Sequence, residues 1–537
     1  MSPGTPRAGH RDHRGTRGSL VAGAAVGVLL VAAHAAAFIV LAARCRGTEL
    51  AVDVPAPAAA AALTLPARVP AALAGRVTVV DSAPGPGLHR RTWRTAYRGG
   101  VERSVGAVQL VGPFQDPDAA RCTGRVIVGQ QLLDDGHAGP GTIAAAMAAQ
   151  LEAALGGETI FPVGALRRIE RLQLRWARLD AHPGDRGLVG AAPHGYVRAS
   201  ATVVFDRVAV PVIVALVPQP SSEQLRFRIA ARAELAFDNR AIQWISDKLG
   251  AASLATRLAR RQLDDALVTA LAPPPPFTLA GGQTIRFTYC DEPPEIAEGA
   301  YAALPFAIAI GRSDRDPQIL PPRLGRGPRA TPPPTSSLGL DLDLDALNAL
   351  LYELWRGGYL DRRLAAAGLD RRFNTDPVVT ELLTVRLSPL SLALPPVVSV
   401  AGVGLRLSAE ARVAIRDGDT VTTGRVWGGL EFRFATHTVS RVAVELGALE
   451  LSCERTATTL VPCYGDLVAA LRGRASDFQG ALTTAFAQLL SDIFVGRIGA
   501  AGLPADLVVR GAAPSVLVAP GNATLHLELD AALAPVP

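Results

Sequence analysis

Apolar and polar positions follow two different periods along this chain of 537 residues. The run "SLGLDLDLD" at 337–345 alternates strictly, which predicts a β-strand with one buried face. From Leu347 onward, within "ALNALLYELWRGGYL", the apolar positions instead recur at 350, 351, 354 and 355. This spacing predicts an amphipathic helix that ends near Gly357 and Gly358. We expect Asp343 or Asp345 to provide its N-cap.

The same order of elements occurs twice. In the second half, the opening strand and a helix over about 345–366 precede several strands, a long helical stretch over about 463–500 and two last strands. In the first half, a strand at 124–133 and a helix at 139–155 precede further strands, a long helix at 239–271 and a closing strand. Strands grouped between helices favour an α+β fold with antiparallel sheets.

Proline-rich segments suggest the domain boundaries. Residues 319–337 contain six prolines, which remove backbone donors and favour an extended linker. An Ala- and Pro-rich segment at 44–78 is also predicted to be a linker, and it is the first of the two along the chain. The predicted organisation therefore consists of a basic tail at 1–18, an anchor at 19–43, the first linker, a unit at 79–318, the second linker and a unit at 338–537.

The N-terminal segment predicts the cellular compartment. Four arginines precede residues 18–43, which carry no formal charge and are long enough to cross a bilayer. The basic side predicts a cytoplasmic N-terminus and a chain that lies mostly outside the cytoplasm. A cleaved signal peptide, with "AHA" at 33–35, and a lipoprotein signal at Cys45 are the alternatives. All three export the rest of the chain.

Composition narrows the possible functions. The chain is 49% hydrophobic and 5% aromatic, so the interior is expected to be mainly aliphatic. Only Lys248 among 54 basic residues is a lysine, a bias typical of a GC-rich bacterial genome, and a single-pass inner-membrane protein is expected. The net charge of +6 forms no concentrated basic face with aromatics, which argues against nucleic acid as a partner.

Five cysteines fit an oxidising compartment. Cys45 lies next to the predicted anchor, and the other four form an even set. Cys453 with Cys463, and Cys122 with Cys290, are the preferred disulfides; buried free thiols are the alternative. The cysteine spacing does not suit a metal site, and neither a metal nor a cofactor is expected.

Catalytic motifs are absent from the sequence. It contains no Gly-x-Ser-x-Gly, His-Glu-x-x-His or Walker loop, so we do not expect an enzyme, although a hydrolase with dispersed residues is a third hypothesis. Asp341, Asp343 and Asp345 lack the Gly and Glu that complete a calcium loop. They are interpreted as the polar edge of a strand.

Two stretches resemble a known family. "LDLDLDALNALLYELWRGGYL" at 340–360 is a strand followed by a helix, and "SPLSLALPPVVSVAGVGLRLSAEARVAI" at 388–415 joins strands through a proline-containing turn. With two units and a proline-rich linker, this pattern resembles the bactericidal permeability-increasing protein and lipid-transfer family, part of the tubular lipid-binding (TULIP) superfamily. The resemblance implies two elongated units, each a twisted antiparallel sheet wrapped with long helices, and apolar pockets for acyl chains.

The candidate ligand-binding residues are apolar positions on predicted helices. Those of the second half are Leu347, Leu350, Leu351, Leu354 and Trp355, followed by Leu482, Phe486, Leu489, Leu490 and Ile493; those of the first half are Ile143, Met147 and Leu151. Plain core packing is the competing interpretation of each. The leading hypothesis is a membrane-anchored protein that binds, and could transfer, lipids or other apolar molecules. The alternative is a structural protein of the cell envelope with packed cores.

Overall fold

The computed structural model of the chain describes residues 50–535 apart from several internal segments. The longer segments outside the description are 55–67, 156–165, 177–188, 234–276, 311–318 and 481–495, in addition to 1–49 and shorter gaps. The predicted anchor at 19–43 and the predicted long helix at 239–271 lie outside the described residues. In the part of the chain that is described, no helix is long and apolar enough to span a membrane.

A central antiparallel sheet joins the two halves of the chain. The first-half strand at 124–129 pairs with the second-half strand at 338–343, with Val128 opposite Leu338 and Val126 opposite Leu340. Strands from before and after the proline-rich linker therefore belong to one hydrogen-bonded sheet. Its nine strands are β5 (Gly124–Gly129), β10 (Phe277–Thr278), β11 (Thr284–Tyr289), β12 (Glu295–Ala297), β13 (Tyr301–Ile310), β14 (Leu338–Asp343), β23 (Gly496–Gly499), β24 (Ala505–Ala519) and β25 (Asn522–Pro535).

The two faces of the central sheet differ in polarity. Leucines at alternate positions of β14 and β25 form one face and belong to the largest apolar core. The opposite face carries Arg125, Asp341 and His526 in one row of cross-strand partners. Asp341 accepts hydrogen bonds from Arg125 at 2.7 and 3.1 Å and lies 2.7 Å from His526 Nδ1.

The proline-rich linker runs over this polar face. Arg125 Nη2 donates to the carbonyl of Ala330 at 2.5 Å. Asp345 Oδ1 accepts from the backbone N–H groups of Leu324 and Gly325 at 2.7 and 2.9 Å. Arg125 of the sheet and Asp345, two residues after the end of β14, thus satisfy linker backbone groups that have no strand partner.

The second-half sheet is also antiparallel and is built mainly from residues 385–462. Its two longest strands form a hairpin that turns at Gly418, whose φ of +56° suits glycine. The nine strands are β1 (Val52–Asp53), β15 (Val385–Leu387), β16 (Ser391–Leu392), β17 (Val397–Ala401), β18 (Gly404–Asp417), β19 (Thr420–Phe434), β20 (Val442–Leu446), β21 (Glu450–Glu454) and β22 (Thr459–Pro462).

Two smaller sheets complete the β-structure. One contains β6 (Leu166–Arg175), β7 (Tyr196–Phe205), β8 (Val208–Gln219) and β9 (Arg226–Ala233), and the other contains β2 (Val77–Asp81), β3 (Gly87–Ala96) and β4 (Glu102–Val111). The three-stranded sheet packs on the second-half sheet, where Arg90 pairs with Glu450 at 2.8 Å and Gly106 N donates to Ser452 Oγ at 2.7 Å. The sheet formed by β2, β3 and β4 therefore packs against β21, a strand from the second half of the chain.

The described helices are short, and the predicted fold class is wrong. The described helices are α1 (Gln130–Leu133), α2 (Ile143–Leu155), α3 (Leu344–Arg356), α4 (Tyr359–Ala367), α5 (Leu369–Asn374) and α6 (Gly465–Gly473). Instead of an α+β fold of two units wrapped by long helices behind a transmembrane helix, the described chain is mostly β, with several antiparallel sheets. Gly358, with φ of +68°, divides the helix predicted at 345–366 into α3 and α4, and Gly368, with φ of +64°, separates α4 from α5. Residues 496–499, predicted as helix, are the edge strand β23.

Candidate ligand-binding site

A cavity of about 290 Å³ lies between helices α3, α4 and α5 and one face of the second-half sheet. Its helix side is formed by leucines, which are Leu347, Leu350, Leu351, Leu354, Leu360 and Leu364. Its sheet side is formed by alternate residues of the long hairpin, among them Leu407, Ala409, Ala411, Val426 and Gly428. Because alternate residues of a strand share a face, one face of β18 and β19 supplies this wall.

The helix wall is fixed at its N-terminal end. Asp343 caps α3 by accepting a hydrogen bond from Ala346 N at 2.9 Å. Burial raises the pKa of the Asp343 carboxyl to about 7, against the opposing effects of this hydrogen bond and of Arg329. The predicted N-cap from Asp343 or Asp345 is thus confirmed for Asp343, and Asp345 instead holds the linker.

A buried asparagine fixes α3 against the sheet. Asn348 Nδ2 donates to the carbonyl of Val398 at 3.0 Å, and Val398 N donates to Asn348 Oδ1 at 2.8 Å. The two bonds satisfy both backbone groups of a residue on β17. They also set the distance between the helix wall and the sheet wall.

The wall of the cavity is almost entirely apolar, and its few polar residues lie on α4, on α5 and next to β15. At the central sheet, Leu342 and Leu525 close it, and both are buried. At α4, α5 and β15 the wall includes Arg363, Asp370 and Ser388, which are all partly exposed. A molecule that is mainly hydrocarbon matches this wall.

Four of the predicted second-half residues line the cavity, namely Leu347, Leu350, Leu351 and Leu354. Trp355 does not: its Nε1 donates to the carbonyl of Leu392 at 3.2 Å, and its ring lies 6.0 Å from that of Tyr352. The tryptophan fastens α3 to the strand β16. The other predicted residues of this half, Leu482, Phe486, Leu489, Leu490 and Ile493, lie outside the described residues.

The first-half candidates lie elsewhere. Ile143 and Met147 on α2 pack against a cluster that includes Leu172 and Leu174 of β6, and neither lines the cavity. For these two residues the structure shows core packing. Leu151 belongs to α2, but its side chain lies outside the described part of the structure.

The periodicity of the helix did not reveal the sheet wall. Ala409 and Ala411 on β18 and Gly428 on β19 are small residues that face the leucines of α3 and α4. A β-carbon built on Gly428 would meet only Leu449 Cδ1, at 3.8 Å. The sequence feature that could have revealed this wall is the occurrence of small residues at alternate strand positions. Large residues at the same positions would fill the cavity.

The described chain contains both disulfides preferred from the sequence, and one of them lies beside the cavity. Cys122–Cys290 and Cys453–Cys463 are the two pairs preferred from the sequence, with Cα–Cα distances of 5.5 and 4.9 Å. Cys453 and Cys463 also belong to an apolar cluster with Leu451 and Leu471, two residues that line the cavity. The second disulfide thus supports the cavity wall.

Comparison with known proteins adds no relative to this picture. No protein-family model matches the chain, and no curated protein sequence matches it.

Proposed function

We propose that this protein binds a lipid or another apolar ligand in the cavity between α3, α4 and the second-half sheet. The observation that carries the proposal is the cavity itself, whose opposing walls are leucines on one side and alternate aliphatic or small residues on the other. A mechanism of this kind is passive, because the ligand only moves from water into an apolar environment.

The energetics favour a hydrocarbon ligand. Each methylene group that leaves water for such walls contributes about 0.8 kcal/mol. The apolar end at Leu342 and Leu525 offers no side-chain hydrogen bond to a polar group, so an inserted hydroxyl or amide would remain unsatisfied. The cavity therefore suits an alkyl or acyl chain.

The proposed setting is the cell envelope. The uncharged stretch at 18–43 and the cysteine usage support a membrane-anchored protein whose bulk lies outside the cytoplasm. The two disulfides are consistent with an oxidising compartment. There the protein would hold, and could pass on, lipids close to a membrane. Kinship with the TULIP superfamily is part of the same proposal and rests on the stretches at 340–360 and 388–415.

The experiment compares two neighbouring glycines of β19. Gly428→Leu adds a side chain into the cavity, whereas Gly429→Leu adds one to the opposite face, where its β-carbon would lie 3.9 Å from Arg406 Cδ. Full-length wild type and both variants are purified in parallel, and bound lipids are extracted and identified by mass spectrometry. Wild type and Gly429→Leu should carry about equal amounts of lipid, and Gly428→Leu much less.

Two outcomes would count against the proposal. Equal lipid on all three proteins would place the ligand outside the cavity. No lipid on any of them, together with no uptake of a fluorescent fatty acid, would favour the alternative of an envelope protein that works as a scaffold.

A further inference from the structure

The polar face of the central sheet brings an aspartate, a histidine and a serine into one row. Asp341 of β14 lies directly opposite His526 of β25, and His526 lies directly opposite Ser515 of β24. Directly opposite residues of antiparallel strands point to the same face, with Cβ atoms about 4.5–5.5 Å apart. Three neighbouring strands therefore place these side chains next to one another, although 185 positions separate Asp341 from His526.

The aspartate orients the histidine. Arg125 donates to Asp341 Oδ2 at 2.7 and 3.1 Å, and Asp341 Oδ1 lies 2.7 Å from His526 Nδ1. Because a carboxylate accepts hydrogen bonds and does not donate them, the proton of the neutral imidazole lies on Nδ1. Nε2 then carries a lone pair and can act as a base toward a neighbouring hydroxyl.

Ser515 is the member of this row that lies nearest to solvent. Asp341 and His526 are 0% and 3% exposed, whereas Ser515 is partly exposed. Among the described strands, β25 is the only partner of β24 at this position, because β23 pairs with residues 506–509. These two side chains, Ser515 and His526, are not hydrogen-bonded to each other, and catalytic hydrogen bonds often form only with substrate bound.

A threonine on the same face has an unused donor. Thr524 precedes His526 by two positions on β25, so both side chains point to the polar face. It is 1% exposed, and its Oγ1 has no hydrogen-bond partner among the described residues. Its hydroxyl is therefore available to donate to an oxygen that becomes negatively charged next to Ser515.

We propose that Ser515, His526 and Asp341 form a second site, which hydrolyses carboxylic esters. Ser515 Oγ attacks the carbonyl carbon while His526 Nε2 takes its proton, and Thr524 donates to the oxyanion that forms. The intermediate expels the alkoxide, which takes the proton from Nε2 and leaves as the alcohol, so the acyl group stays on Ser515. Water then attacks this acyl ester and gives a proton to Nε2, which returns it to Ser515 Oγ. The net reaction converts ester and water into carboxylic acid and alcohol.

The groups around Ser515 indicate the class of ester. Leu517, two positions along β24 on the same face, offers an apolar contact to an acyl group. Glu528 is exposed on the same face, two positions beyond His526 on β25, and its carboxylate disfavours an anionic acyl group. The site therefore suits an uncharged acyl chain. Leu525, which closes the cavity, lies on the other face of β25, so this site does not rest on the proposed lipid binding.

The test uses full-length protein held in an amphipathic polymer. A fluorophosphonate, which a nucleophilic serine attacks with loss of fluoride, is mapped by mass spectrometry, and p-nitrophenyl butyrate reports ester hydrolysis. Wild type should be labelled at Ser515 and should hydrolyse the ester, and Ser515→Ala should do neither. Ser399→Ala is the matched control, because Ser399 is a partly exposed serine on β17 of the second-half sheet. It should behave as wild type does.

Three further variants distinguish a triad from an isolated reactive serine. Asp341→Asn should lower ester hydrolysis by about 10³- to 10⁴-fold, because an amide favours the wrong tautomer of His526. Thr524→Val should lower it by about 100-fold, as expected for the loss of one oxyanion donor. Gly428→Leu, which changes the lipid cavity, should have no effect. Thermal unfolding checks that each variant is folded.

The outcomes that would overturn this site are distinct. Neither labelling nor hydrolysis by folded wild type rejects it outright. Hydrolysis that Ser515→Ala retains places the nucleophile elsewhere. Equal labelling and hydrolysis by wild type and folded Asp341→Asn reject the roles of Asp341 and His526. Because Ser515 is partly exposed, its alanine variant decides the question even if a buried variant fails to fold, and none of these results bears on lipid binding in the cavity.

Discussion

Asn348 of α3 and Val398 of β17 exchange two hydrogen bonds across the junction between helix and sheet, at 2.8 and 3.0 Å. Asn348 is only 1% exposed, so neither bond competes with water. A polar residue in an otherwise apolar helix face thus fixes where the helix lies. The adjacent leucines then form a wall of the cavity instead of collapsing onto the sheet.

Replacing this asparagine should destabilise the protein. In Asn348→Ala the N–H and C=O groups of Val398 lose their partners while buried, and each unsatisfied group costs about 1–3 kcal/mol. We expect a loss of about 2–4 kcal/mol in the free energy of unfolding, measured by chemical denaturation. Arg362→Ala, a change at an exposed residue of the neighbouring helix α4, should cost less than about 0.5 kcal/mol. Equal effects of the two substitutions would show that the bond pair does not hold the helix.

Two glycines of β19 should respond in opposite ways to alanine. A β-carbon on Gly424 would lie 2.8 Å from Ile415 Cδ1 and 3.0 Å from Leu451 Cδ1, both in a packed cluster. Overpacking of this kind costs about 1–3 kcal/mol. At Gly428 the same atom meets only Leu449 at 3.8 Å, and a strand residue with less backbone freedom should stabilise the fold by about 0.5–1 kcal/mol.

Thermal and chemical unfolding of Gly424→Ala and Gly428→Ala measure this difference. A comparable loss of stability in both variants would mean that Gly428 also faces tightly packed atoms, and hence that the sheet wall leaves no space there.

Glu410 should make stability depend on pH. It lies on β18 between Ala409 and Ala411, which face the cavity, so its own side chain faces away from the cavity, and it is 1% exposed. Burial raises the pKa of its carboxyl to about 7, although Arg425 and Arg412 oppose the shift and Glu454 adds to it.

The direction of the change in stability with pH follows from the raised pKa of Glu410. Between about pH 4.5 and 7 the unfolded chain releases the proton of Glu410 and the folded chain keeps it, so stability falls as pH rises through this window. The loss due to Glu410 is about 3 kcal/mol, and Glu410→Gln should lack this part, while Asp343, whose pKa is also raised to about 7, contributes in the same window to both proteins. Urea unfolding at pH 5 and pH 8 compares wild type with this variant and with Glu528→Gln, a change at an exposed residue of β25. The same pH dependence in wild type and Glu410→Gln would rule out this contribution.

The central sheet predicts that the two halves fold together. Separating the chain at the linker leaves β14 paired with β25 but removes its other partner, β5, which it pairs with from Leu338 opposite Val128 to Leu342 opposite Gly124. An exposed strand edge with alternating leucines favours aggregation. Residues 338–537 expressed alone should therefore be aggregated in size-exclusion chromatography, and co-expression with residues 46–337, which lack the proposed anchor, should recover soluble protein. A monomeric, cooperatively folding second half would contradict this expectation.

Local features of the structure were the most predictable from sequence. The alternation at 337–345, the start of α3 at a capping aspartate and four of the cavity-lining leucines follow from hydrophobic periodicity and capping chemistry. The two cysteine pairs follow from their even number and positions. Each of these depends on short stretches of chain or on covalent chemistry.

Long-range pairing was not predictable in this way. Periodicity shows that β5 and β14 are strands but not that they are neighbours, so two separate units were predicted where the sheet is shared. The helix end predicted near Gly357 and Gly358 is confirmed, but a second helix, α4, begins directly after it, so two helices separated by Gly358 replace the one predicted at 345–366. The role of Ala409 and Gly428 as a cavity wall becomes visible only when they are seen opposite the leucines of α3.

The position of a bound acyl chain is the most direct test of this account. Full-length protein is incubated with a hexadecanoate that carries a photoreactive diazirine near the end of its tail, irradiated, digested and mapped by mass spectrometry. A tail that enters the cavity head-out should label peptides around Leu342, Leu347, Phe432 and Leu525 at the apolar end, and excess unlabelled hexadecanoate should suppress this labelling. Labelling confined to other surfaces, or unaffected by the competitor, would contradict ligand binding in this cavity.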